Sequence, residues 1–139
     1  MKIGRGDAVK LYLIDKALTE FGADSVSRLT DDINGLNLYF YLDKPMPIEN
    51  AAERIAQVFP PQTFGTAGQS NTAVDYERMR NTGHPEEQVY RLELIGSLTE
   101  LADNIEKKDP AAFAAAQKSQ RAMEVLRREK SRENSRGGI

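Results

Sequence analysis

His84 is the only imidazole in the chain, and with Glu86 it spells H-x-E, the opening of the zinc-deaminase signature in which the histidine binds zinc and the glutamate moves protons. That chemistry also needs a pair of cysteines, and the chain has none. A zinc site takes three or four ligands of matched geometry, so His84, next to Pro85 and Glu87, reads as a turn or helix-entrance residue. An oxygen-liganded ion is the remaining metal chemistry. Asp32, Asn34 and Gly35 imitate the middle of a calcium loop, but Thr30 holds the first ligand position and Tyr41 stands where a bidentate glutamate belongs. Asn-Gly explains the same residues as a hairpin turn.

Gly65 to Gly68 gives G-x-x-G, the spacing of a backbone clamp on nucleic acid, yet it contains no lysine or arginine, and no G-K-[ST] follows to make a phosphate loop. It reads as a flexible loop. Arg5, Gly6 and Asp7 spell the tripeptide that integrins read, but Asp7 has a competing use as a helix cap. There is no G-x-S-x-G and no serine, histidine and aspartate order suited to acyl transfer. No catalytic residue, no metal ligand and no cofactor is therefore assigned, and the chain is not expected to be an enzyme.

Two groups of side chains suggest binding. Residues 117–139 carry seven basic side chains against three acidic ones, whereas residues 1–116 carry twelve against eighteen. Lys118, Arg121, Arg127, Arg128, Lys130 and Arg132 form the candidate contact for nucleic acid or for an acidic partner, with a plain solvated helix face as the third reading. Tyr39 and Tyr41 lie two apart on a predicted strand with Arg28 on the neighbouring arm, and aromatic rings on an open sheet face serve protein recognition or base stacking. Stacking modules surround such rings with cations, and only Arg28 and Lys44 are nearby, which favours a protein partner.

The elements that must carry these residues follow from periodicity. Val9, Leu13 and Ala17, with Ile14, Leu18 and Phe21 beside them, predict a helix capped by Asp7 and ended by Gly22. Asn34-Gly35 predicts a two-residue hairpin that pairs Ile33 with Leu36 and Leu29 with Phe40, although residues 24–33 also fit a short helix. In the second arm Leu36, Leu38, Phe40 and Leu42 form the aliphatic face. Pro47 opens a helix through Ile55 to Phe59, and Pro60 and Pro61 close it. Residues 62–72 read as a long loop and 73–80 lean to helix. Pro85 opens a long helix to about Lys108, in which Leu94, Leu98, Leu101 and Ile105 make a candidate oligomer seam, so that a homodimer is one use of it. Asp109 and Pro110 start a last helix, with Phe113, Ala116 and Met123 on its apolar side, and Ser131 onward should fray.

At 139 residues, 40% hydrophobic and 29% charged with a net charge of −2, the composition suits one compact core. No apolar run approaches the roughly 20 residues that cross a bilayer, so no membrane partner is expected. Met1 to Lys10 lacks the apolar stretch of a secretory signal, and with no cysteine the expected place is the cytoplasm of a bacterium or of an infected host cell. The resulting expectation is an α+β fold, a β-hairpin packed against helices with a helical C-terminal half and a protruding basic last helix. Residues 1–126 would form one domain and 127–139 a basic flexible tail. The function expected is a non-enzymatic protein-interaction or regulatory protein, such as a phage or mobile-element accessory protein or inhibitor. A nucleic-acid-binding accessory factor using the basic tail is second, and a structural subunit of an assembly third.

Overall fold

The computed structural model describes residues 3–33, 35–44, 46–64, 69–74 and 89–137. In chain order these form α1 (Arg5–Phe21), β1 (Val26–Asp32), β2 (Gly35–Phe40), α2 (Ile48–Val58), a short 3-10 turn (Pro61–Phe64), β3 (Gln69–Val74), β4 (Tyr90–Ile95), α3 (Leu98–Lys108), α4 (Pro110–Ala116) and α5 (Gln120–Gly137). The fold is α+β. Four antiparallel strands lie in the order β1-β2-β4-β3, and the C-terminal part is helical.

α1 is the centre of the core. Nine of its residues are buried, from Ala8 and Val9 to Leu18 and Phe21, and it touches α3, α4, α5 and β1. Its apolar positions occupy more than one stripe, which is the pattern of a helix enclosed by its neighbours. Gly22, at φ 118°, ends it as expected, but the N-cap is Gly4. Asp7 falls inside the first turn, where its carboxylate reaches Lys130 instead of an N-terminal amide.

The hairpin forms with a register different from the expected one. Asp32 pairs with Gly35, Thr30 with Asn37 and Leu29 with Leu38, so Ile33 lies beyond the end of β1. Ile33 is 97% exposed and not an inward partner of Leu36. Gly35 explains the shift: at φ 152° it is a strand residue, and a Cβ on it would collide with the Leu94 carbonyl oxygen of β4. The glycine is needed where β4 crosses, rather than in the turn. The two-residue change of partner preserves the faces, so Leu36, Leu38 and Phe40 still point into the core. Phe40 stacks on Phe21 at 5.3 Å, and Phe59, just after α2, closes on both rings at 6.2 and 6.4 Å.

The helix expected over 85–108 is divided. Tyr90, Leu92 and Leu94 are buried while Arg91, Glu93 and Ile95 are not, a period of two that makes β4. Gly96 at φ 139° turns the chain, and Ser97 caps α3 by accepting the Glu100 N–H at 3.1 Å. Leu94 therefore belongs to the sheet and Leu98 to a new helix, and their four-residue spacing is coincidental. The expected loop over 62–72 contains the 3-10 turn and the start of β3, and Ala73 and Val74 finish that strand; residues 75–80 lie outside the described residues. The last helix is two: Gln117 to Ser119 separate α4 from α5, and α5 continues as helix past the expected boundary at residue 127 to Gly137, so that residues 131–137 of the stretch expected to fray are helical; the last two residues lie outside the described residues. It lies against α1 and β1 rather than standing clear of them.

Candidate interaction surface

Alternation along β2 sends Asn37 and Tyr39 to the face opposite Leu36, Leu38 and Phe40. On that face Tyr39 has Arg28 of β1 and Arg91 of β4 as its cross-strand neighbours, and Asn37 has Thr30 and Glu93. The expected register would have set Arg28 opposite Tyr41; the observed one sets it opposite Tyr39. Tyr39 is only 7% exposed, however, so it is not the open platform expected of it. Tyr41 lies beyond the strand end, half-buried, and its N–H donates to the Ser25 carbonyl at 2.8 Å.

α5 sets out its cations with helical spacing, and most are taken up inside the chain. Arg121 reaches Asp15 Oδ1 at 3.2 Å and also donates to Thr19 Oγ1. Ser119 donates to the same carboxylate oxygen at 2.7 Å, fixing the start of α5 on α1. Lys130 Nζ pairs with Asp7 Oδ2 at 2.7 Å. Arg128 and Arg132 flank Glu129, at 2.9 and 3.2 Å from its Oε2.

Glu129 is 3% exposed, and its Oε1 accepts the Leu29 N–H of the edge strand at 3.0 Å. The two arginines donate to the neighbouring carbonyls of that edge, Arg128 to Val26 at 2.8 Å and Arg132 to Ser27 at 3.0 Å. A buried carboxylate and its two cations thereby supply the hydrogen bonds that another strand would have made. Of the six cations assigned to nucleic acid or an acidic partner, only the Lys118 and Arg127 side chains have no hydrogen bond or ion pair among the described residues. A charge summed over the segment does not show that one of its three glutamates, Glu129, organises two of the arginines.

The chain matches no family model, no curated protein and no solved structure.

The candidate seam is a core feature. Leu94, Leu101 and Ile105 are at most 1% exposed and Leu98 is half-buried, with α3 packed on α1. These residues face their own chain because β4 and α3 turn them inward from different elements.

A second polar node ties α1 to the start of α4. Tyr12 donates to Asp109 Oδ2 at 2.9 Å, and Lys16 Nζ donates to the same oxygen at 3.1 Å while lying over the Tyr12 ring. Burial opposes ionisation of Asp109, but the bonds from Lys16 and Tyr12 prevail and hold its carboxyl below the ordinary range. Burial first, and then the Asp109 carboxylate, push the Tyr12 hydroxyl above its ordinary value. The hollow beside this node, about 160 Å³ and lined by Asp15, Thr19 and Glu20 as well, is bordered by groups that already have partners, Asp15 in Ser119 and Arg121, Thr19 in Arg121 and Glu20 in Arg54. In the sequence Asp109 signals only a helix cap, and Tyr12 and Lys16, at helical spacing on α1, carry no separate signal.

The larger hollow lies between the first half of α1 and α5. It measures about 280 Å³, with Ile3, Leu11, Met123 and Leu126 as its apolar lining and Asp7, Arg127 and Lys130 at its polar margin. Met123, Leu126, Arg127 and Lys130 recur at three, four and seven residues along α5, one helical face. Leu11 and Leu126 are buried, Ile3 and Met123 partly so. Arg5 and Asp7, two of the three residues of the integrin-like tripeptide, sit in the first turn of α1, Arg5 bonded to Asp103 and Glu106 of α3.

Among the described residues no group of three or more histidine or acidic side chains could hold a metal ion, and no helix is long and apolar enough to cross a membrane. His84, the G-x-x-G at 65–68 and Asn34 lie outside the described residues.

Proposed function

We propose that this chain is a non-enzymatic protein-interaction or regulatory protein, acting in the cytoplasm, that holds an acidic, apolar segment of another protein in the groove between α1 and α5. The observation that carries this reading is the groove itself: an apolar lining next to Arg127, whose guanidinium has no carboxylate of its own among the described residues. Its volume is near the lower end of ligand sites, about 300 Å³, which suits a few aliphatic or aromatic side chains presented by a partner helix. Met123 adapts to such side chains because its unbranched thioether rotates freely. A carboxylate on the incoming segment pairs with Arg127 and orients it.

The nucleic-acid reading is second because phosphate contact draws on unpaired cations. Arg121, Arg128, Lys130 and Arg132 would each have to give up a carboxylate, hydroxyl or backbone partner first.

Two-dimensional NMR titration separates the two readings, using an acidic amphipathic helical peptide, a basic peptide of the same apolar pattern, and a single-stranded and a duplex oligonucleotide. The acidic peptide should move the amides of Leu11, Met123 and Leu126, and Met123→Glu should abolish the response while leaving the fold intact. Strongly salt-dependent oligonucleotide binding that disappears in Lys118→Ala/Arg127→Ala would replace this reading with the nucleic-acid one. Peptide binding insensitive to Met123→Glu would remove the groove as the site.

A further inference from the structure

The β1 edge is covered in an unusual way, by side chains of one helix acting on three backbone groups. Leu29 N–H, Val26 C=O and Ser27 C=O are bonded to Glu129, Arg128 and Arg132 respectively, next to an irregular pairing between Val26 and Arg28. The attachment of α5 changes character along its length. As far as Leu126 it buries apolar side chains, with Ala122 at 0% and Leu126 at 7% exposure. From Arg127 to Arg132 every side chain is polar, and Arg127, Arg128, Lys130, Ser131 and Arg132 are all exposed. Lifting this stretch therefore uncovers no apolar side chain of α5, and Glu129 leaves together with both of its arginines, so no charge is stranded in the interior.

Beneath it is a strand able to pair. Leu29 points its N–H outward, and by the two-residue period of a strand Asp31 points its N–H and C=O the same way. That arrangement complements itself. A two-fold axis at Thr30 aligns Leu29 of one copy with Asp31 of the other, and each such pair exchanges two N–H to C=O bonds. Among the described residues the Leu29 and Asp31 groups on the same edge have no α5 partner other than the one at the Leu29 N–H, so the cover is incomplete as well as polar.

We propose that the α5 segment from Arg127 to Arg132 is a detachable cover, and that the uncovered β1 edge pairs antiparallel with the β1 edge of a second copy of this chain. The cover includes Arg127 and Lys130 of the groove's polar margin, so lifting it also opens that margin, but the pairing edge itself is β1, no residue of which lines the groove. The pairing also differs from the leucine seam read in the sequence, whose residues belong to the core.

Hydrogen exchange and sedimentation test this directly. In the unaltered chain the Leu29 amide should exchange at least about tenfold faster than those of Leu38 and Leu92 in the sheet centre, because the cover lifts without global unfolding. Glu129→Ala/Arg132→Ala should sediment as a dimer, and adding Asp31→Pro should return the monomer. Proline there removes the outward N–H needed by the second copy and none bonded to β2. Asp31→Pro alone serves as the folding control. Exchange of Leu29 at the rate of Leu38 and Leu92 would overturn the cover, and this reading holds even if the double variant does not fold. A double variant that stays monomeric with Leu29 exposed would overturn the pairing, as would a dimer that survives Asp31→Pro.

Discussion

α1 and α5 both run against the sheet, one by apolar contact and the other by charge. α1 contributes Leu13, Ile14, Ala17, Leu18 and Phe21, all at most 5% exposed, with Phe21 stacked on Phe40 of β2. α5 beyond Leu126 contributes Glu129, Arg128 and Arg132, set on the backbone of β1. Apolar burial is nondirectional and grows with area, so it tolerates small shifts. A carboxylate meeting an amide and two guanidinium groups is directional, and losing one member strands the rest. The first contact fixes the fold; the second decides what an edge strand is allowed to touch.

The widest separation between the two should come from Leu38→Ala. This side chain is fully buried where β1, β2 and β4 meet, and its loss should cost about 3–4 kcal/mol by denaturant midpoint, unaffected by salt. A cost under about 1 kcal/mol would show that the apolar contact is not the main one. Gly35→Ala comes next, at about 3 kcal/mol, because the added Cβ collides with the Leu94 carbonyl and the backbone lies at φ 152°. The hairpin register predicts that Ala at Ile33, which is exposed, changes stability by less than about 0.5 kcal/mol.

Glu129→Ala should cost about 2 kcal/mol, since it leaves the Leu29 N–H and two guanidinium groups without their acceptor, and Glu129→Gln roughly half of that. Equal effects for Ala and Gln would show that charge is irrelevant to the α5 contact. Lys130→Met breaks a half-exposed pair with Asp7 and should cost no more than about 0.5 kcal/mol, vanishing in high salt.

The Asp109 node adds a pH test. Its carboxyl lies below the ordinary 3.8 in the folded chain, so its stabilisation is present above that value and is lost as pH falls through the lowered one. The acid limb of the stability curve should be steeper for the unaltered chain than for Asp109→Asn, and parallel limbs would remove the node from the account. Tyr12 has the opposite sign. Its contribution is complete below the ordinary value of 10.0 and is lost only as pH rises through its raised one, so Tyr12→Phe should flatten the alkaline limb.

The sequence by itself determined the elements whose apolar residues repeat at one period: α1 and its end at Gly22, the inward face of β2, α2 between its prolines, and the start of α4 at Pro110. Those signals are local, and local periodicity survives without knowledge of the partner. It could not determine β3, where Gln69, Ser70, Asn71 and Thr72 carry no alternation and are made a strand by pairing with β4. Nor could it separate β4 from α3, because Leu94, Leu98, Leu101 and Ile105 imitate one helical stripe across a glycine turn. The cations of α5 depend most on the fold. Their count is in the sequence, but which of them are spent on Asp7, Asp15 and the β1 carbonyls is set by residues about 100 positions away, and only chain folding brings those within hydrogen-bond reach.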